Sequence, residues 1–183
     1  MREKVLVVID MQKDFVDGAL GTKEAQAILP AVEEKVKHWP GKVIFTKDTH
    51  DSNYLSTQEG KLLPVEHCRK DSEGWQLAGN LSHIQQEKNW PVYEKPAFGS
   101  MELVRAIEDM HKEQPIESIE CIGVCTDICV VSNVLLLKAA LPEIPVYVDA
   151  SCCAGTTPEN HQAALVTMAC CQVLRSDEIN RQQ

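Results

Sequence analysis

The chain has 183 residues, of which 44% are apolar and 25% charged, as in an ordinary soluble globular protein. Its net charge of −9 argues against nucleic-acid binding, and no apolar stretch is long enough to span a membrane. The length fits one α/β domain, to which we assign residues 1–183. The apolar run at 4–9 is too short for a signal peptide, so we expect a cytoplasmic protein with its eight cysteines reduced.

Apolar, β-branched runs alternate with helical patterns along the chain. Strands are predicted at 4–10, 42–48, 91–95, 116–124 and 144–150, with a sixth at 171–176. Helices are predicted at 23–38, 100–114, 126–141 and 157–170. Pro30 predicts a kink in the first helix, or a helix that begins there. This alternation indicates a three-layer α/β/α fold with a mostly parallel sheet of about six strands.

The segment at about 49–90 interrupts the alternation. It is rich in polar residues, glycine and histidine, and we expect only a short helix around 81–87. A loop of this length in a compact domain is usually functional or disordered, and its metal-binding residue types favour a function.

Ionisable or nucleophilic residues follow four of the predicted strands. Asp10 ends the first strand, Asp48 the second and Lys95 the third, and the segment 125–129 follows the fourth. Ligands of parallel α/β sheets bind beyond the carboxyl ends of the strands. We therefore expect these residues to meet at one edge of the sheet.

The cysteines in "GVCTDICV" (123–130) differ in their predicted surroundings. Cys121, in the preceding strand, should pack into the sheet and be inert. Cys129 falls in the first turn of the next helix, where free N–H groups and the helix dipole favour a thiolate and could hold an oxyanion. The alternative is a buried helix residue, which is common for cysteine. We interpret the adjacent pairs 152–153 and 170–171 as small core residues.

Sequence position alone also leaves open which residues would assist Cys129. Asp10 would accept a proton if it lay in a cleft beside the thiol, but it could instead cap the next segment or pair with a lysine. Lys95 would stabilise a thiolate if it lay beside both, but most lysines are surface groups. His161, near a helix start, is interpreted as a cap or surface group.

The long segment supplies the residue types of a metal site. Asp48, His50, Glu59 and His67 combine imidazole with carboxylate, ligands that suit zinc, manganese or iron. Asp48 and His50 would share one side of an extended segment. A solvated loop with chance histidines is an equally good interpretation.

The sequence resembles the isochorismatase-like cysteine hydrolase superfamily, and within it most resembles the nicotinamidases. The similarity covers nearly the whole chain. The stretches that carry it are "VIDMQKDF" (8–15), "KDTH" (47–50), "EGKLLPVEHC" (59–68), "EKPAFGS" (94–100), "GVCTDICV" (123–130) and "PENHQAAL" (158–165).

The resemblance implies a catalytic triad of Asp10, Lys95 and Cys129, with Cys129 rather than Cys125 as the nucleophile. It also implies a cis peptide bond between Val124 and Cys125, which would turn the backbone N–H groups of Cys125 and Cys129 toward the oxyanion.

The resemblance further implies a divalent metal, first zinc and otherwise manganese or iron. Its ligands would be Asp48, His50 and His67, with Glu59 as a fourth ligand that varies among relatives. Phe15 matches an aromatic residue that flanks the substrate ring. The chain departs from its relatives just before His67, where they often carry a bulky aromatic and this chain has Leu-Pro-Val-Glu at 63–66.

The implied activity is hydrolysis of nicotinamide, a linear carboxamide, to nicotinate and ammonia through a Cys129 thioester, as part of NAD salvage. One alternative is a related amidase or ureide hydrolase acting on another small amide, and a second is a binding protein that keeps only the fold. The expected partner is a small amide, with no nucleic acid and no membrane, and a homo-oligomer is compatible with the sequence.

Overall fold

The computed structural model describes residues 3–179, and within that range the strands form a six-stranded sheet. The strands are β1 (Glu3–Ile9), β2 (Lys42–Asp48), β3 (Val92–Lys95), β4 (Ile116–Val124), β5 (Val146–Ala154) and β6 (Leu174–Arg175). Their spatial order is β3-β2-β1-β4-β5-β6, and every neighbouring pair is parallel. The carboxyl ends of all six strands therefore lie at one edge. The outermost positions of the predicted domain, 1–2 and 180–183, lie outside the described residues.

Helices flank the sheet. They are α1 (Lys13–Val16), α2 (Lys23–His38), α3 (Gln58–Leu62), α4 (Leu81–Lys88), α5 (Met101–Glu113), α6 (Val131–Ala140), α7 (Pro158–Cys170) and α8 (Ser176–Ile179). A 3₁₀ turn at Tyr54–Ser56 precedes α3, and a π-helical turn at Thr126–Val130 leads into α6. Helix α2 packs across β4 and β5, whereas α5, α6 and α7 pack beside one another. None of the helices between residues 3 and 179 combines the length and apolarity needed to cross a membrane.

Strand β1 lies at the centre of the sheet, and its five residues from Val5 to Ile9 are fully buried. Burial on both faces explains why the strand reads as a continuous apolar run rather than an alternating one. The helix caps also follow the sequence. The hydroxyls of Thr22, Ser100 and Thr157 each accept a backbone N–H in the first turn of α2, α5 and α7.

The structure corrects several predicted boundaries. Helix α2 begins at Lys23 with Pro30 inside it, so a helix that begins at Pro30 is wrong. The predicted helix at 126–141 is divided into the π-helical turn and α6, and the segment at 49–90 contains α3 besides α4. Strand β6 has only two residues. Cys170 and Cys171 are exposed at the end of α7, whereas Cys152 and Cys153 are buried as predicted.

Candidate active site

The carboxyl edge of the sheet brings the candidate residues together. Asp10 follows β1, Asp48 and Lys95 end β2 and β3, and Cys129 lies in the turn after β4. The parallel register pairs Asp48 with Lys95 directly, because β2 and β3 are neighbours. All four side chains are buried. The predicted convergence is therefore present, and it includes a nucleophile, an acid and a cation.

Lys95 occupies the centre of this group and is 1% exposed. Its Nζ lies 2.6 Å from Asp10 Oδ2, 3.4 Å from Cys129 Sγ and 3.4 Å from Asp48 Oδ1. It also donates to the backbone carbonyl of Ala97 at 3.0 Å. Burial lowers the pKa of Lys95, but the neighbouring acids outweigh burial and raise its pKa above the ordinary value. The ammonium therefore stays charged.

Asp10 is held in place by β2. The Thr46 hydroxyl donates to Asp10 Oδ1 at 2.6 Å and accepts the Asp10 backbone N–H at 3.2 Å. The backbone of Asp10 adopts a left-handed conformation with φ of 50°, which aspartate tolerates better than most residues. Complete burial raises the pKa of Asp10 against the opposing charge of Lys95, so this carboxylate is a stronger base than an exposed one.

Cys129 is 5% exposed, so its sulfur is largely shielded from water. Burial and the charge of Asp10 raise its pKa well above the ordinary value, and Lys95 only partly opposes them. This differs from the expectation that the start of a helix favours a thiolate. The reason is that Cys129 lies in a dry π-helical turn facing a carboxylate, so its proton must pass to a neighbour before the sulfur can attack.

The turn before Cys129 depends on a glycine. Gly123 has φ of 122°, and a Cβ there would lie 2.0 Å from the Ile9 carbonyl oxygen, so no other residue fits between β4 and β1. The peptide bond between Val124 and Cys125 is cis, which confirms the expectation drawn from the resemblance.

Asp48, His50, Glu59 and His67 form a second cluster beside Lys95. Their potential ligand atoms all lie within 4.8 Å of one another. His50 Nε2 is 2.8 Å from Asp48 Oδ2 and 3.6 Å from Glu59 Oε1. His67 Nε2 is 3.4 Å and 3.8 Å from the same two atoms. Although burial raises the pKa of Asp48, the two histidines and Lys95 hold it below its ordinary value.

This cluster fits a divalent metal. Ligand bonds of about 2.1 Å would separate tetrahedral ligand atoms by about 3.4 Å, which lies within the observed spacings. His50 Nε2 is buried and makes no hydrogen bond of good geometry despite its short distance to Asp48, as expected for two atoms that share a cation rather than a proton. The Nδ1–H of His67 donates to the Val65 carbonyl at 2.8 Å, which leaves Nε2 free as a ligand.

Two residues that the sequence analysis did not single out, Gln12 and Asp14, hold these clusters. The side-chain amide of Gln12 accepts the Asp48 backbone N–H at 2.8 Å and donates to the Asp48 carbonyl at 2.9 Å. Asp14 accepts the Cys68 backbone N–H at 2.7 Å, next to His67. Their position in "VIDMQKDF" is the only sequence signal, because their partners are more than 30 residues away.

His161 is also better placed than its sequence position indicated. Its Nδ1 lies 2.8 Å from the hydroxyl of Thr126, a buried residue that directly follows Cys125. Asp127, next in the same turn, accepts the backbone N–H of Thr156 at 2.8 Å. The start of α7 and the loop before it therefore hold the turn that carries Cys129 (Thr126–Val130), which we call the nucleophile turn after the proposed role of Cys129. His161 is neither a simple cap nor a surface group.

A cavity of about 330 Å³ opens onto both clusters, and we call it the inner cavity. It is lined by Phe15, Leu20, Thr22, Asp48, Glu59, Leu63, His67, Phe98, Cys125, Ile128, Cys129 and Thr156. The Phe15 ring lies 5.4 Å from the His67 ring, so Phe15 forms the part of the cavity wall beside the candidate metal ligands. A larger hollow of about 530 Å³ around Lys35 and Trp39 lies at the opposite edge of the sheet and contains none of the candidate residues. Of these two hollows, the inner cavity is therefore the candidate substrate-binding site.

Comparison with known proteins agrees with this geometry. The isochorismatase domain family matches residues 4–178. A Bacillus subtilis protein described as the uncharacterized isochorismatase family protein PncA is 32% identical over 139 residues, 70% of this chain and 74% of that protein.

Solved structures extend the comparison. A pyrazinamidase/nicotinamidase from Streptococcus mutans has a TM-score of 0.81 at 27% identity, covering 94% of this chain and 99% of that one. A pyrazinamidase from Pyrococcus horikoshii in complex with zinc has a TM-score of 0.78 at 25% identity, covering 94% and 98%. The predicted three-layer fold is confirmed by this similarity.

Proposed function

The chain belongs to the isochorismatase family and is a hydrolase of that family, and from this premise we propose that it hydrolyses nicotinamide to nicotinate and ammonia. The observation that carries the proposal is that Cys129, Asp10 and Lys95 meet beside the inner cavity, next to the four candidate metal ligands. The similarity to pyrazinamidase/nicotinamidase structures supports an aromatic carboxamide as substrate.

The first half of the reaction uses the proton arrangement of the resting site. Asp10 takes the Cys129 proton as the sulfur attacks the amide carbon, and Lys95 stays charged between the two groups. The carbonyl oxygen gains negative charge, which the backbone N–H groups of Cys125 and Cys129 would stabilise. Asp10 then returns the proton to the amide nitrogen, the carbon–nitrogen bond breaks and ammonia leaves a thioester on Cys129.

The second half reverses these roles. Asp10 removes a proton from a water molecule that attacks the thioester carbon, and the carbon–sulfur bond breaks to release the carboxylic acid. The returning proton restores the Cys129 thiol. Raised basicity of buried Asp10 suits both proton transfers.

Asp48, His50, Glu59 and His67 would hold the divalent metal, with zinc favoured by the imidazole and carboxylate ligands and by the zinc-bound relative. Such a metal supplies a Lewis acid that could bind a pyridine nitrogen or a water molecule. Phe15 would then lie against the substrate ring.

A second candidate is a related cysteine amidase or ureide hydrolase that acts on another small amide. The aliphatic side chain of Leu63 in the cavity wall favours it, because an aliphatic wall does not select a flat ring as an aromatic one does.

Ammonia release from nicotinamide and from pyrazinamide tests the proposal. We expect turnover by the unaltered protein and a loss of at least about a thousandfold in Cys129→Ala. Cys171→Ala, which changes an exposed thiol just after α7, is the matched control and should keep full activity. Absence of turnover with both amides at high protein concentration would exclude the proposed activity.

A further inference from the structure

The exposed apolar side chains of this protein are concentrated in two segments of the chain. Eight large apolar side chains are exposed within residues 3–179, and six of them lie at 55–65 and 98–101. These six are Leu55, Leu62, Leu63, Val65, Phe98 and Met101. Leu63 and Phe98 also line the inner cavity, and we call this region the apolar mouth. Leu62 is 80% exposed, an unfavourable state for a leucine unless something apolar covers it.

A second cavity, of about 410 Å³, lies in this apolar mouth, and we call it the outer cavity. It is lined by Gln58, Glu59, Leu62, Leu63, Ala97, Phe98 and Ile128. Four of these residues, Glu59, Leu63, Phe98 and Ile128, also line the inner cavity. The two cavities are therefore adjacent, and the side chains of Leu63 and Phe98 form part of the wall of both.

We propose that the preferred substrate is an aromatic carboxamide that carries an uncharged apolar substituent, with the carboxamide in the inner cavity and the substituent in the outer cavity between Leu63 and Phe98. This inference rests on the proposed amidase function and specifies its substrate class.

The chemistry of the outer wall selects the substituent. Its only ionisable residue is Glu59, whose carboxylate faces His50 and His67 in the metal cluster rather than a cation of the outer wall. An acidic substituent would meet no positive charge there, and a cationic one would compete with the metal for the same carboxylate. An alkyl or aryl group would instead release water from Leu62, Leu63 and Phe98.

The nearness of the outer cavity to Cys129 favours a substrate over a protein partner as its occupant. Leu63, Phe98 and Ile128 line both the outer cavity and the inner cavity that contains Cys129. A carboxamide bound beside Cys129 would therefore lie next to the outer cavity, and only its ring substituent would need to extend past Leu63 and Phe98.

The test is a series of nicotinamides that carry ring substituents from methyl to butyl. We expect kcat/KM for ammonia release to rise by about threefold for each added methylene group. Leu62→Asp places a charge in the outer wall without touching the inner cavity. It should lower the ratio of kcat/KM for butyl-nicotinamide to that for nicotinamide by about tenfold. The matched control is Val166→Asp on α7, where an exposed valine lies outside both cavities and the ratio should stay constant.

The possible outcomes distinguish a failure of the substituent proposal from a failure of the proposed amidase activity. Turnover of nicotinamide with no gain along the series would overturn the inference and leave the amidase proposal in place. A gain that survives Leu62→Asp would also overturn it, since the substituent would then lie elsewhere. If Leu62→Asp changes the sedimentation mass of the protein but not the ratio, the apolar mouth is an interface between copies of the chain. Absence of turnover with every amide would remove both proposals.

Discussion

At the scale of single residues, the burial of Lys95 is the most demanding feature of the site. An ammonium out of contact with water is tolerated only when acids surround it, and Asp10 and Asp48 provide this compensation from two neighbouring strands. Asp10 depends on Lys95 most, because Asp48 is also paired with His50 and His67. The cation is thus part of the folded core as well as of the proposed reaction.

Lys95→Met should therefore reduce stability as well as activity. The two carboxylates would lose their shared cation, and we expect the free energy of unfolding to fall by about 3 kcal/mol. Lys47→Met is the matched control, because Lys47 is also buried but lies 3.6 Å from the Trp75 ring centre and contacts no carboxylate at comparable distance. That change should cost about 1 kcal/mol. Urea unfolding measures both, and an equal cost for the two variants would contradict this account.

His161 is expected to act through Thr126 on the nucleophile turn. His161→Ala removes the hydrogen bond to the Thr126 hydroxyl and should lower kcat about tenfold with little change in KM, because one hydrogen bond that holds the turn is lost. His161→Asn can keep a hydrogen bond at this position and should restore most of kcat. His111→Ala, which changes another histidine that bonds the backbone far from the cavity, is the control. A loss of stability in His161→Ala without any change in kcat would contradict a positioning role.

The sequence predicted the site residues at the strand ends better than it predicted the residues that hold them in place by hydrogen bonds. Asp10, Asp48 and Lys95 could be found because parallel strands end at a common edge. Thr46 and Gln12 could not, because each is bonded to a residue 36 positions away and nothing local marks the contact. His161 was misjudged for the same reason, since Thr126 is 35 positions away.

At the scale of elements, an ion cluster joins α2 to the sheet. Lys35 in α2 forms ion pairs with Glu120 of β4 and Asp149 of β5, and Glu120 also accepts the Ser176 hydroxyl at 3.0 Å. The carboxylates are about nine-tenths buried. This cluster lies at the end of the sheet away from the inner cavity, so it contributes to the fold rather than to the reaction.

Lys35→Ala should lower the free energy of unfolding by about 2 kcal/mol, because it leaves two largely buried acids without their cation. Burial raises the pKa of Asp149, but the hydrogen bond from Lys35 outweighs burial and holds that pKa below its ordinary value. A lowered folded pKa stabilises the protein above the unfolded pKa, and this contribution is lost as the pH falls through the folded value. The difference between Lys35→Ala and the unaltered protein should therefore shrink below about pH 4.

The measurement is thermal or urea unfolding between pH 3 and pH 8. Lys37→Ala, which changes an exposed lysine of the same helix, is the control and should alter stability by less than about 0.5 kcal/mol. A difference that stays constant across this range would show that the cluster is not the source of the effect.

The ion cluster around Lys35 also explains why the predicted end of β5 was wrong. The fifth strand was predicted to end at residue 150. Lys35 compensates Asp149, and β5 continues to Ala154. Helix α2 was predicted with its observed bounds because the threonine cap and the apolar spacing are local signals, and Pro30 is tolerated on an exposed position of the helix.

At the scale of the whole molecule, the four candidate metal ligands connect the long segment at 49–90 to the sheet. Asp48 ends β2, whereas Glu59 lies in α3 and His67 in the loop beyond it. A cation shared by these residues would close the segment against the sheet edge. Binding that occurs only in the folded state raises stability with ligand concentration, so the metal should be visible in unfolding experiments as well as in activity.

We expect zinc to raise the melting temperature of chelator-treated protein by roughly 5 to 10 °C, which corresponds to a metal concentration near one hundred times the dissociation constant. His67→Ala should abolish this metal-induced shift, because it removes a ligand whose ring is already oriented by the Val65 carbonyl. The shift, measured as the difference with and without zinc for each variant, separates metal binding from any effect of the substitution on the metal-free fold. His83→Ala, which changes an exposed histidine of α4, should keep the full shift. An undiminished shift in His67→Ala would show that zinc binds elsewhere, and the tie between the long segment and the sheet would then need another explanation than a metal.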